Sequence, residues 1–165
     1  MQKLIIIRGN SGSGKSTVAK RLQLEMGRGT MLIPQDVIRR DILKTLDTPG
    51  NDAIELIYEV AMYGKKVGCD VIVEGILSKD KYGKMLHKLI ADFGGETYCY
   101  YLDVSFEETV RRHATKSNAH EFGEKEMREW WIENDYLGSK NEVILSEGLS
   151  EEELLNTLTL AVKSQ

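Results

Sequence analysis

Five short apolar runs recur along the chain, separated by longer stretches in which apolar positions return every three or four residues. The runs at Lys3–Ile7, Thr30–Ile33, Asp70–Val73, Thr97–Leu102 and Glu142–Leu145 predict strands. The stretches between them predict helices over Lys15–Met26, Asp36–Leu46, Asp52–Lys66 and Lys79–Ala91, another within Glu121–Tyr136, and two more opening near Ser105 and at Ser150. Breaks fall where the period changes. Gly27 to Gly29 stop the first helix, Pro34 marks the exit of the second strand, and Thr48, Pro49 and Gly50 separate two helices. Ser105 is placed to cap its helix, and Ser150 with Glu153 forms a capping-box pattern. Ile54, Ile57, Tyr58, Ala61 and Met62 make an apolar stripe on one helix, and Leu154, Leu155, Leu158 and Val162 make one on the last. Such alternation predicts a three-layer α/β fold with a mainly parallel five-stranded sheet.

At 165 residues the chain fits one domain, large enough for helices on both faces of a sheet. Its composition, 41% hydrophobic and 29% charged, is that of an ordinary soluble globule, and no repeat period points to a scaffold. Met1–Ile7 lacks the long apolar region of a signal peptide and no run approaches a membrane span, so a cytoplasmic protein without a membrane partner is expected. Cys69 and Cys99, each beside a predicted strand, read as buried thiols. The formal charge of −4 opposes a broad nucleic-acid surface and favours a small phosphorylated partner. Monomer and homodimer are both open.

Chemistry concentrates first in Leu4–Thr17, LIIIRGNSGSGKST, where a buried-strand pattern runs directly into GxxxxGKS. That spacing defines a Walker A loop, and its lysine argues against the GxGxxG turn of a dinucleotide-binding domain. Gly9, Gly12 and Gly14 let backbone amides turn inward around phosphate, Asn10, Ser11, Ser13 and Thr17 complete the loop, Lys15 reaches the terminal phosphates, and Ser16 holds magnesium. ATP and Mg2+ are the implied cofactors. A strand leading into a helix puts this site beyond the carboxyl ends of the parallel strands, where Asp36 and Glu74 follow other strands and can converge. Asp36 is a candidate acceptor base, with Arg39 three residues on as a guide for substrate or phosphate. The plainer alternative is a helix cap paired with Arg40. Glu74 either orients magnesium-bound water, contacts the acceptor, or makes a surface salt bridge.

With these residues in place, the chain resembles P-loop kinases of the group containing phage-type polynucleotide 5′-hydroxyl kinases, zeta toxins and chloramphenicol phosphotransferases. GNSGSGKST resembles their phosphate loop, and QDVIR resembles the pattern in which an aspartate is acceptor base and an arginine three residues later contacts substrate. The resemblance implies those roles for Asp36 and Arg39, and an acidic site position for Glu74. It extends through CYYLDVSFEETVRRHATK, implying a basic lid around residues 113–125 with Arg112 near its entrance and Lys116 where the group can carry an arginine. The implied fold is a P-loop NTPase with a small helical lid.

Elsewhere simpler readings lead. Arg111 and Arg128 suit helical ion pairs, and Asp41 a solvated face. His113 and His120 suit surface hydrogen bonding, and Tyr58 and Tyr82 suit packing. Of Trp130 and Trp131, one can pack on the core while the other lines an acceptor pocket. Ser146–Ser150 is expected beside the adenine. Together these readings favour ATP-dependent phosphoryl transfer to a hydroxyl of a nucleoside-like or other small molecule. A polynucleotide 5′-hydroxyl end is the alternative acceptor. A nucleotide-hydrolysing switch is less favoured, because no NKxD-like guanine-recognition sequence is present.

Overall fold

The central strand β1 (Lys3–Gly9) explains the architecture, because its side chains alternate between two separate cores. Leu4 and Ile6 face one side of the sheet, while Ile5 and Ile7 face the other; all four are fully buried. An apolar run without polar interruption is therefore what this strand needs. A computed structural model describes residues 1–117 and 119–164; Asn118, inside the predicted lid, lies outside the described residues.

The remaining elements follow as α1 (Lys15–Met26), β2 (Thr30–Pro34), α2 (Asp52–Lys66), β3 (Asp70–Gly75) and α3 (Lys79–Phe93). After these come β4 (Glu96–Asp103), α4 (Phe106–Ala114), α5 (Glu124–Trp130), β5 (Glu142–Ser146) and α6 (Glu151–Lys163). The five strands pair in the order β2-β3-β1-β4-β5, every pair parallel. Helices α2 and α3 cover the face of Leu4 and Ile6, while α1 and α6 cover the opposite face through Val18, Leu22, Leu155 and Leu158. The three-layer expectation holds. Cys99 is buried and Cys69 half-buried, and both are free thiols. Among the described residues, no helix is long and apolar enough to cross a membrane.

One predicted helix differs from what forms. Over Asp36–Leu46 the chain makes only a six-residue π-helical segment, Val37–Ile42, with the Leu43 amide bonding back to the Ile38 carbonyl. Lys44 then takes a left-handed φ of 51°. The Arg39 guanidinium and carbonyl both engage Thr45, at 3.2 and 3.0 Å, which folds the chain back instead of continuing the helix. The helix expected within Glu121–Tyr136 is α5, which ends where Ile132 spends both backbone groups on the Asn10 side chain rather than on a helical ladder.

Candidate active site

Between β1 and α1 the chain closes a tight loop. Gly14 caps α1 in a left-handed conformation, φ 96°, and its carbonyl accepts from the Val18 amide. Gly12, φ 81°, packs so closely that an added Cβ would stand 2.7 Å from the Thr109 carbonyl oxygen and 3.2 Å from Met127 Cε. The loop is thus pressed against α4 and α5, and only glycine fits there. Lys15 folds into it, donating through Nζ to the Asn10 carbonyl at 2.8 Å and to Ser13 Oγ at 3.4 Å. Desolvation lowers the Lys15 pKa to about 8, outweighing the opposing pull of Glu74 and Asp36.

Register brings the other strand ends to the same rim. Glu74 stands opposite Ile7 on one side and Pro34 on the other. It is buried, and its carboxylate accepts from Ser16 Oγ at 3.0 Å. Burial raises the Glu74 pKa, with Lys15 and the Ser16 hydroxyl pulling the other way. Asp36 is exposed and caps nothing; it accepts from Arg39 at 3.4 Å and pairs with Arg40 at 3.9 Å. Arg39, by contrast, has a side chain only 13% exposed.

A cavity of 590 Å3 joins these groups: Ser11, Gly12, Lys15 and Ser16 face Asp36, Arg39, Glu74 and Lys116 across it. Trp130, 39% exposed, and Trp131 form part of its wall, and Trp131 also packs edge-on against Phe106. Gly9, Asn10, Ser13, Gly14, Thr17 and Arg112 lie outside this lining. Arg112 crosses the outer side of the loop, donating to the Ser13 carbonyl at 3.2 Å and to Glu108 at 2.8 Å. Its second nitrogen lies 3.5 Å from the Glu147 carbonyl oxygen, in the segment expected beside adenine. Arg111 pairs with Glu108 and Arg128 with Glu124. His113 is buried rather than at the surface: it stacks on Phe122 and hydrogen-bonds the Phe122 carbonyl at 2.7 Å.

Two buried polar residues, Arg8 and Gln35, were not singled out by sequence, and Asn10 was read only as a member of the phosphate loop. Asn10 grips the Ile132 backbone through both side-chain atoms, Nδ2 donating at 2.8 Å and Oδ1 accepting at 3.0 Å. Gln35 accepts from the Leu77 amide at 2.9 Å, and Arg8 reaches Asp135 and Glu142. Their partners lie far away in the chain, so no local spacing announces them.

The site suits the nucleotide its loop implies. Glycine-lined backbone and a buried cation offer a phosphate cradle, and a serine hydroxyl beside a carboxylate offers the oxygen donors magnesium prefers.

Comparison with known proteins bears on the family and the fold. A family model described as an AAA domain matches residues 4–131, a span holding the phosphate loop, Asp36, Arg39, Glu74 and Arg112. No curated protein matches the sequence. Among solved structures, the APS kinase CysC of Mycobacterium tuberculosis, in complex with AMPPNP and APS, is similar with a TM-score of 0.73 at 21% identity, covering 98% of each chain. A gluconokinase from Sinorhizobium meliloti 1021 has a TM-score of 0.64 at 17% identity, covering 99% of this chain and 97% of its own. The Deinococcus radiodurans tunicamycin resistance protein has a TM-score of 0.66 at 15% identity, covering 98% and 96%. These likenesses are of fold. With a Walker A loop between β1 and α1 and the family model spanning most of its length, the chain belongs to the AAA domain family and has a P-loop kinase-like α/β fold.

Proposed function

We propose that the chain is a cytoplasmic, ATP-dependent phosphotransferase acting on a hydroxyl of a nucleoside-like or other small molecule. The observation that carries this reading is the shared cavity, in which Lys15 and Ser16 lie on one side and Asp36 and Arg39 on the other. Its 590 Å3 suits a small ligand. The Trp130 face on its wall suits a ring. Solved kinases of similar fold add support, and the QDVIR segment supports kinship with the zeta toxin, chloramphenicol phosphotransferase and polynucleotide kinase group.

In the reaction, the acceptor oxygen attacks the terminal phosphorus of ATP as the bond to the bridging oxygen breaks and ADP leaves. Asp36 takes the hydroxyl proton, and Arg39 orients the acceptor. Lys15 neutralises charge on the transferred group, while Arg112 and Lys116 stand at the phosphate side. Ser16, with Glu74 through water, would hold Mg2+, which supplies charge neutralisation across the phosphate oxygens. The aromatic wall and the segment between α4 and α5 keep water from competing as acceptor.

The test is an ATP-consumption screen across nucleosides, sugars, hydroxyl-bearing antibiotics and 5′-hydroxyl oligonucleotides, with product mass analysis. A phosphate mass gain on a small hydroxyl compound is expected, and Asp36→Asn should cut its kcat by about 10²- to 10⁴-fold while nucleotide affinity is retained. Undiminished transfer by the variant would remove Asp36 as base. Mass gain confined to the oligonucleotide would replace the small acceptor with a polynucleotide end.

A further inference from the structure

The end of α5 and the segment after it do two things at once. Their side chains Trp130, Trp131 and Ile132 line the acceptor-side cavity, and their backbone hangs from the phosphate loop by the Asn10 carboxamide. Trp131 and Asn10 also border a second cavity of 670 Å3, so the connection has a hollow on each side. Packing holds its rings, Trp131 edge-on against Phe106 and Trp130 against Phe122. Asn10 fixes the backbone that follows: two opposed hydrogen bonds to one residue define both distance and orientation. The same residue's carbonyl accepts from Lys15 Nζ at 2.8 Å. One residue therefore contacts both the cation of the phosphate site and the wall of the acceptor site.

We infer that Asn10 is a positioning residue, holding the Trp130–Ile132 wall in register with the phosphate loop so that the acceptor hydroxyl meets the terminal phosphate at reacting distance. This rests on the kinase reading above. Asn10 acts through Ile132 and touches no acceptor atom. Removing its carboxamide cuts both bonds to Ile132, while the backbone carbonyl that meets Lys15 stays in the loop.

The chain has two tryptophans, both in this wall, so their emission reports on it directly. Asn10→Ala is compared with wild type for affinity towards a magnesium complex of a non-hydrolysable ATP analogue, acrylamide quenching of tryptophan, and acceptor kcat/KM with the compound from the screen. Nucleotide affinity should be retained, quenching should increase, and kcat/KM for the acceptor should fall by about 10- to 100-fold. Asn10→Asp keeps the oxygen that accepts from the Ile132 amide but lacks the donor to its carbonyl, so it should fall between the two. Unchanged quenching and unchanged acceptor kcat/KM in Asn10→Ala would overturn the inference, as would loss of nucleotide binding in both variants, which would make Asn10 an ordinary part of the loop. Failure of wild type to bind the analogue would instead strike the kinase reading itself.

Discussion

Burial works against the charge that Lys15 needs. Its neighbours inside the loop, the Asn10 carbonyl and Ser13 hydroxyl, are neutral, and desolvation lowers the ammonium pKa to about 8. Since the unfolded value is higher, the folded protein binds fewer protons than the unfolded chain above pH 8. The Lys15 contribution to stability therefore rises from there towards the unfolded pKa. Nucleotide binding carries the opposite demand, because a triphosphate favours the charged form. Below about pH 7, Lys15 is already protonated and binding recruits nothing through it; above about pH 8, binding should take up a proton and weaken as pH rises. Calorimetric titration in buffers of different ionisation heat reads this uptake directly, and binding at about pH 8.5 without it would show that Lys15 keeps its proton in the free protein. The identity of this residue was legible in the sequence, because the Walker A signature is a local spacing. Ser16 shares that spacing, and Asp36, Arg39 and Glu74 were legible for a related reason: they lie at or just past strand ends, and parallel strands end at one rim. Asn10 was legible only as a loop member. Its grip on a residue 122 positions away depends on how α4 and α5 settle over the loop.

Strand positions and caps were readable because alternation and capping depend on neighbouring residues. Ser105 accepts from the Glu108 amide at 3.3 Å, and Ser150 accepts from the Glu153 amide at 3.3 Å while Glu153 accepts from the Ser150 amide at 2.8 Å. Ser150→Ala removes one half of that reciprocal pair at the start of a helix whose Leu154, Leu155, Leu158 and Val162 build one core. It should cost about 1 kcal/mol and lower the Tm by about 2–4 °C. Scanning calorimetry checks it, and an unchanged Tm would mean that solvent caps this helix as well as the serine does. Helix lengths were harder to read, since propensity continues where tertiary contacts stop the ladder. The helix within Glu121–Tyr136 ends at Trp130, where Trp131 turns extended, with ψ 130°, as Ile132 is captured by Asn10. At Asp36–Leu46 the departure serves the site. The short π-helical segment keeps Asp36 and Arg39 at the cavity, which exposed Leu46 also borders, while Ile42, apolar in sequence, faces solvent.

The parts of the molecule are joined around Arg8, fully buried just before the phosphate loop. It donates to the Leu77 carbonyl at 3.1 Å, to Asp135 at 2.9 Å and to Glu142 at 3.2 Å, and its guanidinium lies over the Tyr101 ring. One cation thus ties β1 to the β3–α3 connection, the segment after α5 and the start of β5. Leu77 depends on it: this non-glycine residue holds a left-handed φ of 43°, fixed by Arg8 at its carbonyl and Gln35 at its amide. Asp135 also accepts from the Lys79 amide, and Glu142 from the amides of Leu137 and Gly138, so both carboxylates are committed in place. Burial already raises the Asp135 pKa, with Arg8 among the groups resisting that shift. Arg8→Met keeps much of the volume and removes the charge, leaving two partly enclosed carboxylates uncompensated, and should destabilise the fold at pH 7 by about 3–5 kcal/mol. Without Arg8 the folded pKa of Asp135 rises further above the unfolded value, so the variant binds more protons folded than unfolded and regains stability as pH falls. Urea unfolding at about pH 7 and pH 5 should therefore show the gap between variant and wild type narrowing in acid. A gap of constant size would assign Arg8 to packing alone, and the charge would then have no part in holding the strand ends around the site.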